Sequence, residues 1–391
     1  MRIDNPLVDV LLKHPELFEN KNVILGGEID SPAFVHLAKI TKSCHIHIDN
    51  YNVMLDLANT FISDLKFDGF ESTFTYKHMT AHFCSAQSFA KNLQKDSSLH
   101  IDTVVIFLTK IKNQCYKLIK NLEPLFDENT EITVIGRNEV GGKSSYKILS
   151  STNDVYKIES RKKCTLFGTT YKNSFEVPYA SESFKTITIN DLVSLEMKQD
   201  VSIFAHGTLD EGTRDLLEIL PHYNLQGDIL DACCGSGIIG LYALKAYDNT
   251  KVTMADISAS ALYCANKNAK QNDLTSRCTI MPFMMNDMEI GKFDVILTNP
   301  PFHTGHKVKT DLTRKGIIGF WKDLKLGGQL FIVYNTFLDY RAVIDELFVD
   351  VEIQKCSAQY TVVRAVKGSD DPELLKRWEN PFTRPWRKIY P

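Results

Sequence analysis

Short apolar runs alternate with helical stretches along the second half of the chain. Residues 228–234, 251–256 and 293–297 each hold several consecutive apolar positions, and residues 238–244 have the composition of a buried helix. Buried strands that alternate with helices are typical of a mostly parallel sheet with helices on both faces. The pattern therefore predicts an α/β fold for this half.

The first half repeats this order of apolar runs. The corresponding pairs are 22–28 with 228–234, 45–49 with 252–256, 102–109 with 293–298, 131–138 with 329–335, and 157–167 with 351–363. A chain of 391 residues is long enough for two domains of ordinary size. We therefore expect two tandem domains with the same strand order. We place His45 and His47 on an exposed edge strand of the first sheet.

An Asn-Pro-Pro-Phe sequence follows the apolar run at 293–297. Pro300 and Pro301 fix their own φ angles and lack N–H groups, so this loop has more hydrogen-bond acceptors than donors. We expect the Asn299 side-chain oxygen and the Pro300 carbonyl to accept from the NH2 group of a planar substrate, with Phe302 against the ring face. The alternative is a proline-rich turn without a chemical role.

A glycine-rich turn follows the apolar run at 228–234. Gly235, Gly237 and Gly240 match the dinucleotide pattern G-x-G-x-x-G, and Asp256 ends the next strand, where it can accept from ribose hydroxyls. These features suit either NAD or S-adenosylmethionine. Asp231 favours S-adenosylmethionine, because its carboxylate would attract a cationic amino-acid group and repel a pyrophosphate.

Several stretches together resemble the ribosomal RNA small subunit methyltransferase C family, which uses S-adenosylmethionine to methylate the N2 amine of guanine 1207 in 16S rRNA. The matching stretches are 134–142, 160–168, 202–212, 230–237, 255–259, 299–305 and 327–337. The resemblance covers nearly the whole chain. It departs at Cys233 and Cys234, which replace the more usual Gly-Cys, and at 367–391, beyond the family's common end.

The resemblance implies two tandem Rossmann-like class I methyltransferase domains with mostly parallel seven-stranded sheets, the first of them degenerate. We expect a degenerate domain at 1–168, a connection at 169–195, a catalytic domain at 196–366 and a basic, aromatic tail at 367–391. Where the second half has Thr298-Asn-Pro-Pro-Phe, the first has Thr109-Lys-Ile-Lys, and its glycine turn lacks the acid. We therefore expect the first domain to support the second and help seat RNA without binding cofactor.

Three sets of site residues follow from these motifs and from the resemblance. The expected catalytic residues are Asn299, Pro300 and Phe302. The expected cofactor-binding residues are Phe204, Asp210, Gly212, Asp231, Cys233, Gly235, Gly237, Asp256, Ile257, Asn286 and Asn299. The expected substrate-binding residues are Pro301, Phe302, His303, Lys307, Lys309 and Arg314.

The net charge of −3 is unusual for a protein that binds RNA, because such binding usually shows as a basic footprint. A local basic surface remains compatible with this charge. The best candidate follows the Asn-Pro-Pro-Phe loop, and others lie at 161–163 and in the tail at 376–388, where basic and aromatic residues are mixed. We expect 16S rRNA, in the 30S subunit, as partner of a monomeric chain.

Membrane, disulfide and metal roles are not expected. No apolar run approaches the roughly 18 residues that span a bilayer, and the N-terminus has no signal pattern, so we expect a cytoplasmic protein. The nine cysteines include no C-x-x-C pair, which argues for free, buried thiols. His303 and His306 have no acidic or cysteine partner at ligand spacing, so we expect no metal.

Other functions remain open on the sequence. The same loop serves methyltransferases that act on adenine N6 or glutamine N5, and a guanine of 23S rRNA is the nearest alternative target. A nicotinamide-dependent oxidoreductase would use Gly235 to Gly240 and Asp256 but leaves the Asn-Pro-Pro-Phe loop unexplained. A non-catalytic RNA-binding protein would predict a damaged second half, whereas Asp231, Asp256 and Asn299 are all present.

Overall fold

The computed structural model describes most of the chain. The described residues are 5–29, 32–61, 63–150, 153–178, 183–190, 193–198, 200, 203, 209–285, 290–301, 303–304, 307–308, 310–338 and 340–379. The chain divides into two compact units. The first comprises 1–183 with 200–206 and 257–263, and the second comprises 184–199, 207–256 and 264–391. Among the described residues, no helix is long and apolar enough to span a membrane.

The first unit is built on one nine-stranded sheet. Its strands are β1 (Asn22–Gly27), β2 (Ser43–Ile48), β3 (Lys66–Asp68), β4 (Glu71–Tyr76), β5 (Met79–Phe83), β6 (Thr103–Phe107), β7 (Glu131–Arg137), β8 (Tyr156–Arg161) and β9 (Cys164–Thr170). Its helices are α1 (Pro6–Leu11), α2 (Val35–Ala38), α3 (Tyr51–Phe61), α4 (Ala86–Gln94) and α5 (Lys112–Leu122). The strand order is β3-β4-β5-β2-β1-β6-β7-β9-β8.

Two strands of this sheet were not expected from the sequence. The antiparallel strands β3 and β4 extend the sheet beyond β5, so the expected seven strands become nine. The position of the two histidines was predicted wrongly. Strand β2 pairs with both β1 and β5, so it is an interior strand, and His47 is buried. Polar residues at alternate positions, such as His45 and His47, are typical of a half-exposed strand. Strand β2 nevertheless has a neighbouring strand along each of its two edges.

The second unit contains a seven-stranded sheet and two small antiparallel pairs. Its strands are β10 (Phe184–Thr188), β11 (Ser194–Lys198), β12 (Gly227–Ala232), β13 (Thr250–Asp256), β14 (Cys278–Pro282), β15 (Phe293–Thr298), β16 (His303–Thr304), β17 (Lys307–Val308), β18 (Leu324–Asn335), β19 (Val349–Cys356) and β20 (Tyr360–Val366). The helices are α6 (Glu211–Ile219), α7 (Ile238–Ala246), α8 (Ala259–Gln271), α9 (Thr310–Asp323), α10 (Arg341–Leu347) and α11 (Glu373–Glu379).

The two large sheets share one topology. The second has the order β14-β13-β12-β15-β18-β20-β19, which is the order of β5-β2-β1-β6-β7-β9-β8 in the first. In each, the central strands are parallel and the last two are antiparallel. The shared strand order confirms the predicted duplicated α/β fold. The strands could be recognised in the sequence because strands buried on both faces of a sheet appear as apolar runs.

The strand register brings three strand ends together in the second unit. Strand β12 pairs in parallel with β13 on one side and β15 on the other, and Ala232 is opposite both Ala255 and Thr298. The residues that follow these strands therefore leave the same edge of the sheet. In open α/β sheets, ligands bind outside this carboxyl edge.

Candidate active site

Asp231 lies at the carboxyl end of β12 and is fully buried. Its Oδ2 accepts a hydrogen bond of 2.7 Å from the backbone N–H of Gly240. Its Oδ1 has no hydrogen-bond partner among the described residues. Burial raises the pKa of Asp231 to about 8, and the nearby Asp256 carboxylate adds to the rise while the Gly240 N–H opposes it. A buried acid with one unmatched oxygen is suited to a cationic ligand group.

The turn between β12 and α7 depends on left-handed backbone conformations. Gly235 and Gly237 have φ angles of 54° and 83°, and Cys233 adopts 61°. A Cβ on Gly237 would lie 2.7 Å from the sulfur of Met254, whereas a Cβ on Gly235 would meet nothing within 4 Å. Gly237 is therefore required by packing. Gly235 borders open space, where a ligand can approach the backbone.

Asp256 and Ile257 follow at the end of β13. One carboxylate oxygen of Asp256 accepts the backbone N–H of Gly235 at 2.9 Å, which fixes the acid beside the glycine turn. Ile257 is 38% exposed, an unusual position for an aliphatic side chain directly after a buried strand. Asp256 thus places a carboxylate beside the glycine turn, where ribose hydroxyls could donate to it, and the role predicted for Ile257, which belongs to the first unit, stays a prediction.

These residues fit S-adenosylmethionine. The unmatched Oδ1 of Asp231 suits the ammonium of the amino-acid end, and the open space at Gly235 admits the ligand to the backbone. Asp256 stands where ribose hydroxyls would donate to it. A pyrophosphate would instead face two carboxylates close to the same turn, so a dinucleotide fits poorly.

The Asn299 side chain is held by two acceptors. Its Nδ2 donates to Oδ2 of Asp210 at 2.8 Å and to the Thr213 hydroxyl at 2.9 Å. Both amide hydrogens are therefore used, and Oδ1 accepts no hydrogen bond from the described residues. The oxygen predicted to receive a substrate amine is thus available, and its orientation is defined.

The rest of the loop is fixed by its neighbours. The hydroxyl of Thr298 donates to the carbonyl of Ala232 at 2.8 Å, which joins the ends of β15 and β12. Pro300 is buried and Pro301 is exposed. The Thr313 hydroxyl of α9 donates to the Pro301 carbonyl at 3.5 Å. The Pro300 carbonyl accepts no hydrogen bond from the part of the chain that the structure describes, so the residue after Asn299 carries a second unpaired acceptor.

Asp210 and Gly212 begin helix α6. Asp210 is the N-cap, and the oxygen that binds Asn299 also accepts the backbone N–H of Thr213 at 3.0 Å. A Cβ on Gly212 would lie 2.9 Å from the ring of Tyr360, so the helix start packs directly on β20. Sequence reasoning missed Thr213 and Tyr360. The N-cap spacing from Asp210 to Thr213 could have indicated the first, but no sequence signal indicated the second.

The structure describes only some of the remaining predicted residues. Phe204, Asn286, Phe302 and Lys309 lie outside the described residues. His303 is in β16 and Lys307 is in β17, and their side chains also lie outside the description. Arg314 is half-buried on α9, next to the exposed Lys315. Within the described part of the chain, no three His, Cys, Asp or Glu side chains are arranged to hold a metal ion.

The corresponding edge of the first sheet lacks these features. Asp49, which corresponds to Asp256, accepts hydrogen bonds from the hydroxyl of Ser258 at 2.7 Å and the backbone N–H of Ser260 at 2.8 Å, all within the first unit. The Thr109 hydroxyl donates to the carbonyl of Ile111, and Lys110 stands where the second unit has Asn299. The acid of this edge is thus used in a structural contact, and the amide is absent.

The sheet order, the acidic glycine turn and the Asn-Pro-Pro loop at one carboxyl edge together define a class I S-adenosylmethionine-dependent methyltransferase. Two family models match the chain: the methyltransferase small domain at residues 194–364 and the methyltransferase small domain N-terminal at 58–186. The two models together cover most of the chain, and curated relatives that match nearly all of it are named ribosomal RNA small subunit methyltransferase C.

Relatives and a solved structure match over nearly the full length. Ribosomal RNA small subunit methyltransferase C of Psychromonas ingrahamii is 28% identical, over 91% of this chain and 95% of its own. That of Haemophilus influenzae is 29% identical, over 90% and 96%. The T. thermophilus 16S rRNA N2 G1207 methyltransferase, solved with AdoMet and guanosine, has a TM-score of 0.71 at 16% identity and covers 93% of this chain and 92% of its own. This structural match concerns the fold.

Proposed function

We propose that this chain methylates the exocyclic N2 amine of a guanine in 16S rRNA, with S-adenosylmethionine as methyl donor. The observation that carries the proposal is the orientation of Asn299, whose NH2 group is bound by Asp210 and Thr213 so that its oxygen remains as acceptor. Full-length similarity to ribosomal RNA small subunit methyltransferase C of several bacteria supports 16S rRNA as substrate. The T. thermophilus relative is named for G1207, and we propose the corresponding guanine here.

The chemistry requires a weak nucleophile to be activated in place. When bound, S-adenosylmethionine supplies a methyl group made electrophilic by a positively charged sulfur. The N2 lone pair of guanine is delocalised into the ring, and hydrogen bonds from its N–H groups to Asn299 Oδ1 and the Pro300 carbonyl localise it. The nitrogen–carbon bond forms as the carbon–sulfur bond breaks, and the nitrogen then loses one proton to water.

The protein accelerates this step by binding the developing charge and by alignment. Hydrogen bonds from the amine to Asn299 and Pro300 strengthen as nitrogen becomes positive, so they stabilise the transition state more than the ground state. Alignment of the two reactants contributes several kcal/mol, up to roughly 7–11 in well-oriented cases. Phe302 would cover the face of the extruded base. No strong general base is needed, because the positively charged nitrogen that forms on methylation is acidic and loses its proton readily.

The substrate form, the cellular location and the oligomeric state complete the proposal. We propose that a monomer acts in the cytoplasm on the 30S subunit. Arg314 and Lys315 of α9, with His303, Lys307 and Lys309 before them, form the proposed RNA contact. These residues directly follow the Asn-Pro-Pro-Phe loop, so a strand whose base enters the site must pass them.

The test is methyl transfer from labelled S-adenosylmethionine to 30S subunits, 50S subunits and naked 16S rRNA, followed by nucleoside analysis. We expect N2-methylguanosine in 16S rRNA, with the 30S subunit as the best substrate. N2-methylguanosine only in 23S rRNA would move the target to the large subunit. N6-methyladenosine, methylated glutamine in protein, or no transfer to any sample would contradict the proposal.

A further inference from the structure

We propose that Asp210 is a positioning residue for methyl transfer: it holds the Asn299 amide in the one orientation that presents oxygen to the substrate amine. This inference rests on the proposed function and assigns to Asp210 a role different from the cofactor binding predicted from the sequence. It depends on three features of the second unit: the bonds of Asn299, the N-cap of α6 and the packing of Gly212.

The Asn299 amide could be turned in two ways by rotation about its terminal bond. A side-chain amide has an oxygen that accepts and a nitrogen that donates, whereas a carboxylate only accepts. With Nδ2 toward Asp210, the contact is a charge-assisted hydrogen bond of 2.8 Å. With Oδ1 in that place, two acceptor oxygens would meet at the same distance. The carboxylate therefore selects one orientation.

Asp210 is itself immobilised. Its Oδ2 accepts both the Asn299 Nδ2–H and the backbone N–H of Thr213, so the helix start fixes the oxygen that fixes the amide. Gly212 lies against the ring of Tyr360, where even a Cβ would be too close. The Thr213 hydroxyl accepts the second amide hydrogen, but a hydroxyl can also donate. Thr213 alone would not distinguish the two orientations.

The orientation of the Asn299 amide determines which of its groups, the oxygen or the NH2, is presented to the substrate. Substrate guanine presents N–H groups to this site, so it needs an acceptor there. An Asn299 turned the other way would present its own N–H groups and repel the substrate amine. Asp210 thus converts an ambivalent side chain into a defined acceptor, and its negative charge polarises the Asn299 oxygen toward stronger acceptance as the nitrogen becomes positive.

The first test compares Asp210→Ser with Asp210→Asn in the full chain. Serine and asparagine both cap helices as well as aspartate, so we expect the unfolding midpoint to stay near that of the wild type. Serine removes the acceptor-only group and asparagine keeps an oxygen without the charge. We expect the rate constant at saturating S-adenosylmethionine to fall about tenfold for Asp210→Ser and less for Asp210→Asn, with the Kd for S-adenosylmethionine unchanged. A higher Kd with an unchanged saturated rate would show a cofactor-binding role and overturn the proposal.

A double-mutant cycle with Asn299→Ala shows whether Asp210 affects the rate of methyl transfer through Asn299. If Asp210 acts through Asn299, Asp210→Ser should cause no further loss of single-turnover rate in the Asn299→Ala background. Equal losses in both backgrounds would overturn the proposal. Thr213→Val serves as a second variant, because it removes the weaker acceptor and keeps the backbone N–H; its effect should be smaller than that of Asp210→Ser.

Hydrogen exchange of the Asn299 side-chain amide, measured by NMR, does not depend on catalysis and therefore tests this inference separately from the proposed function. In protein labelled with ¹⁵N-asparagine, the Asn299 NH2 signal is the one that Asn299→Ala removes. We expect its hydrogens to exchange slowly in the wild type and faster in Asp210→Ser. Slow exchange with no N2-methylguanosine from the wild-type enzyme would refute the function and leave the positioning of Asn299 intact. Equal exchange rates in wild type and Asp210→Ser would refute the positioning alone.

Discussion

Cys233 shows how a single residue can carry backbone strain at the glycine turn. Its φ of 61° lies in the left-handed region, which costs an L-residue roughly 1–2 kcal/mol and glycine nearly nothing. Its sulfur lies 3.9 Å from the sulfur of Met285, so the thiol contributes packing that offsets part of the strain. The neighbouring Cys234 is buried and has no positive φ.

The two cysteines should therefore respond oppositely to glycine and alanine. We expect Cys233→Gly to be more stable than Cys233→Ala by about 1 kcal/mol, because glycine removes the strain while both variants lose the thiol. For Cys234 the order should reverse, since glycine only adds backbone freedom to the unfolded chain there. Urea unfolding of the four variants measures this. The same order at both positions would contradict the strained conformation of Cys233.

Asp231 should make cofactor binding depend on pH. In the free protein its pKa is raised to about 8 by burial, so below that pH the acid holds a proton. A cationic ligand favours the ionised form, so binding releases the proton, and affinity falls as pH falls below about 8, by up to about tenfold per pH unit. Calorimetry between about pH 5.5 and 6.5 tests this, because an α-amino group with an ordinary pKa of about 7.7–8.0 stays almost fully charged there. The Asp231→Asn variant should bind weakly and without this pH dependence; an equal slope in both proteins would contradict the role of Asp231.

At the scale of elements, the turn between β12 and α7 contains two glycines that are needed for different reasons. Both Gly235 and Gly237 have positive φ, so alanine at either position is strained by roughly 1–2 kcal/mol. Only Gly237 is also packed against Met254. We expect Gly237→Ala to lower the free energy of unfolding clearly more than Gly235→Ala. Gly235→Ala should chiefly weaken S-adenosylmethionine binding, because its methyl enters the open ligand space. Chemical unfolding and cofactor titration of both variants measure this; equal loss of stability would be inconsistent with the described packing.

The elements that sequence predicted well are those whose burial dictates their composition. Strands β6 and β15 were visible because interior parallel strands are mostly apolar. Strand β3 is exposed at every residue, so no apolar run marked it. The candidate site was likewise predictable only in part from the sequence. The Asn-Pro-Pro loop was visible as a motif, but the partner that orients Asn299 lies 89 positions away in sequence, and only the fold brings Asp210 to it.

At the scale of the whole molecule, duplication of the fold has not duplicated the site. In the first sheet, Leu25 stands at the position of Asp231, and Asp49, the counterpart of Asp256, is used in contacts with Ser258 and Ser260. In the second sheet, Asp231 has an oxygen without a partner among the described residues. We expect the full chain to bind one equivalent of S-adenosylmethionine. Calorimetric titration gives the stoichiometry, and Asp231→Ala should abolish the single event. Two equivalents, or binding that persists in Asp231→Ala, would show a working site in the first unit.

The central claim is that Asn299 binds the amine that receives the methyl group. The most direct measurement is the single-turnover rate of N2-methylguanosine formation by Asn299→Ala, with the Kd for S-adenosylmethionine determined in parallel. We predict a rate loss on the order of 10²–10³-fold, with the Kd nearly unchanged. A rate close to that of the wild type, or a loss explained entirely by weaker cofactor binding, would contradict the account.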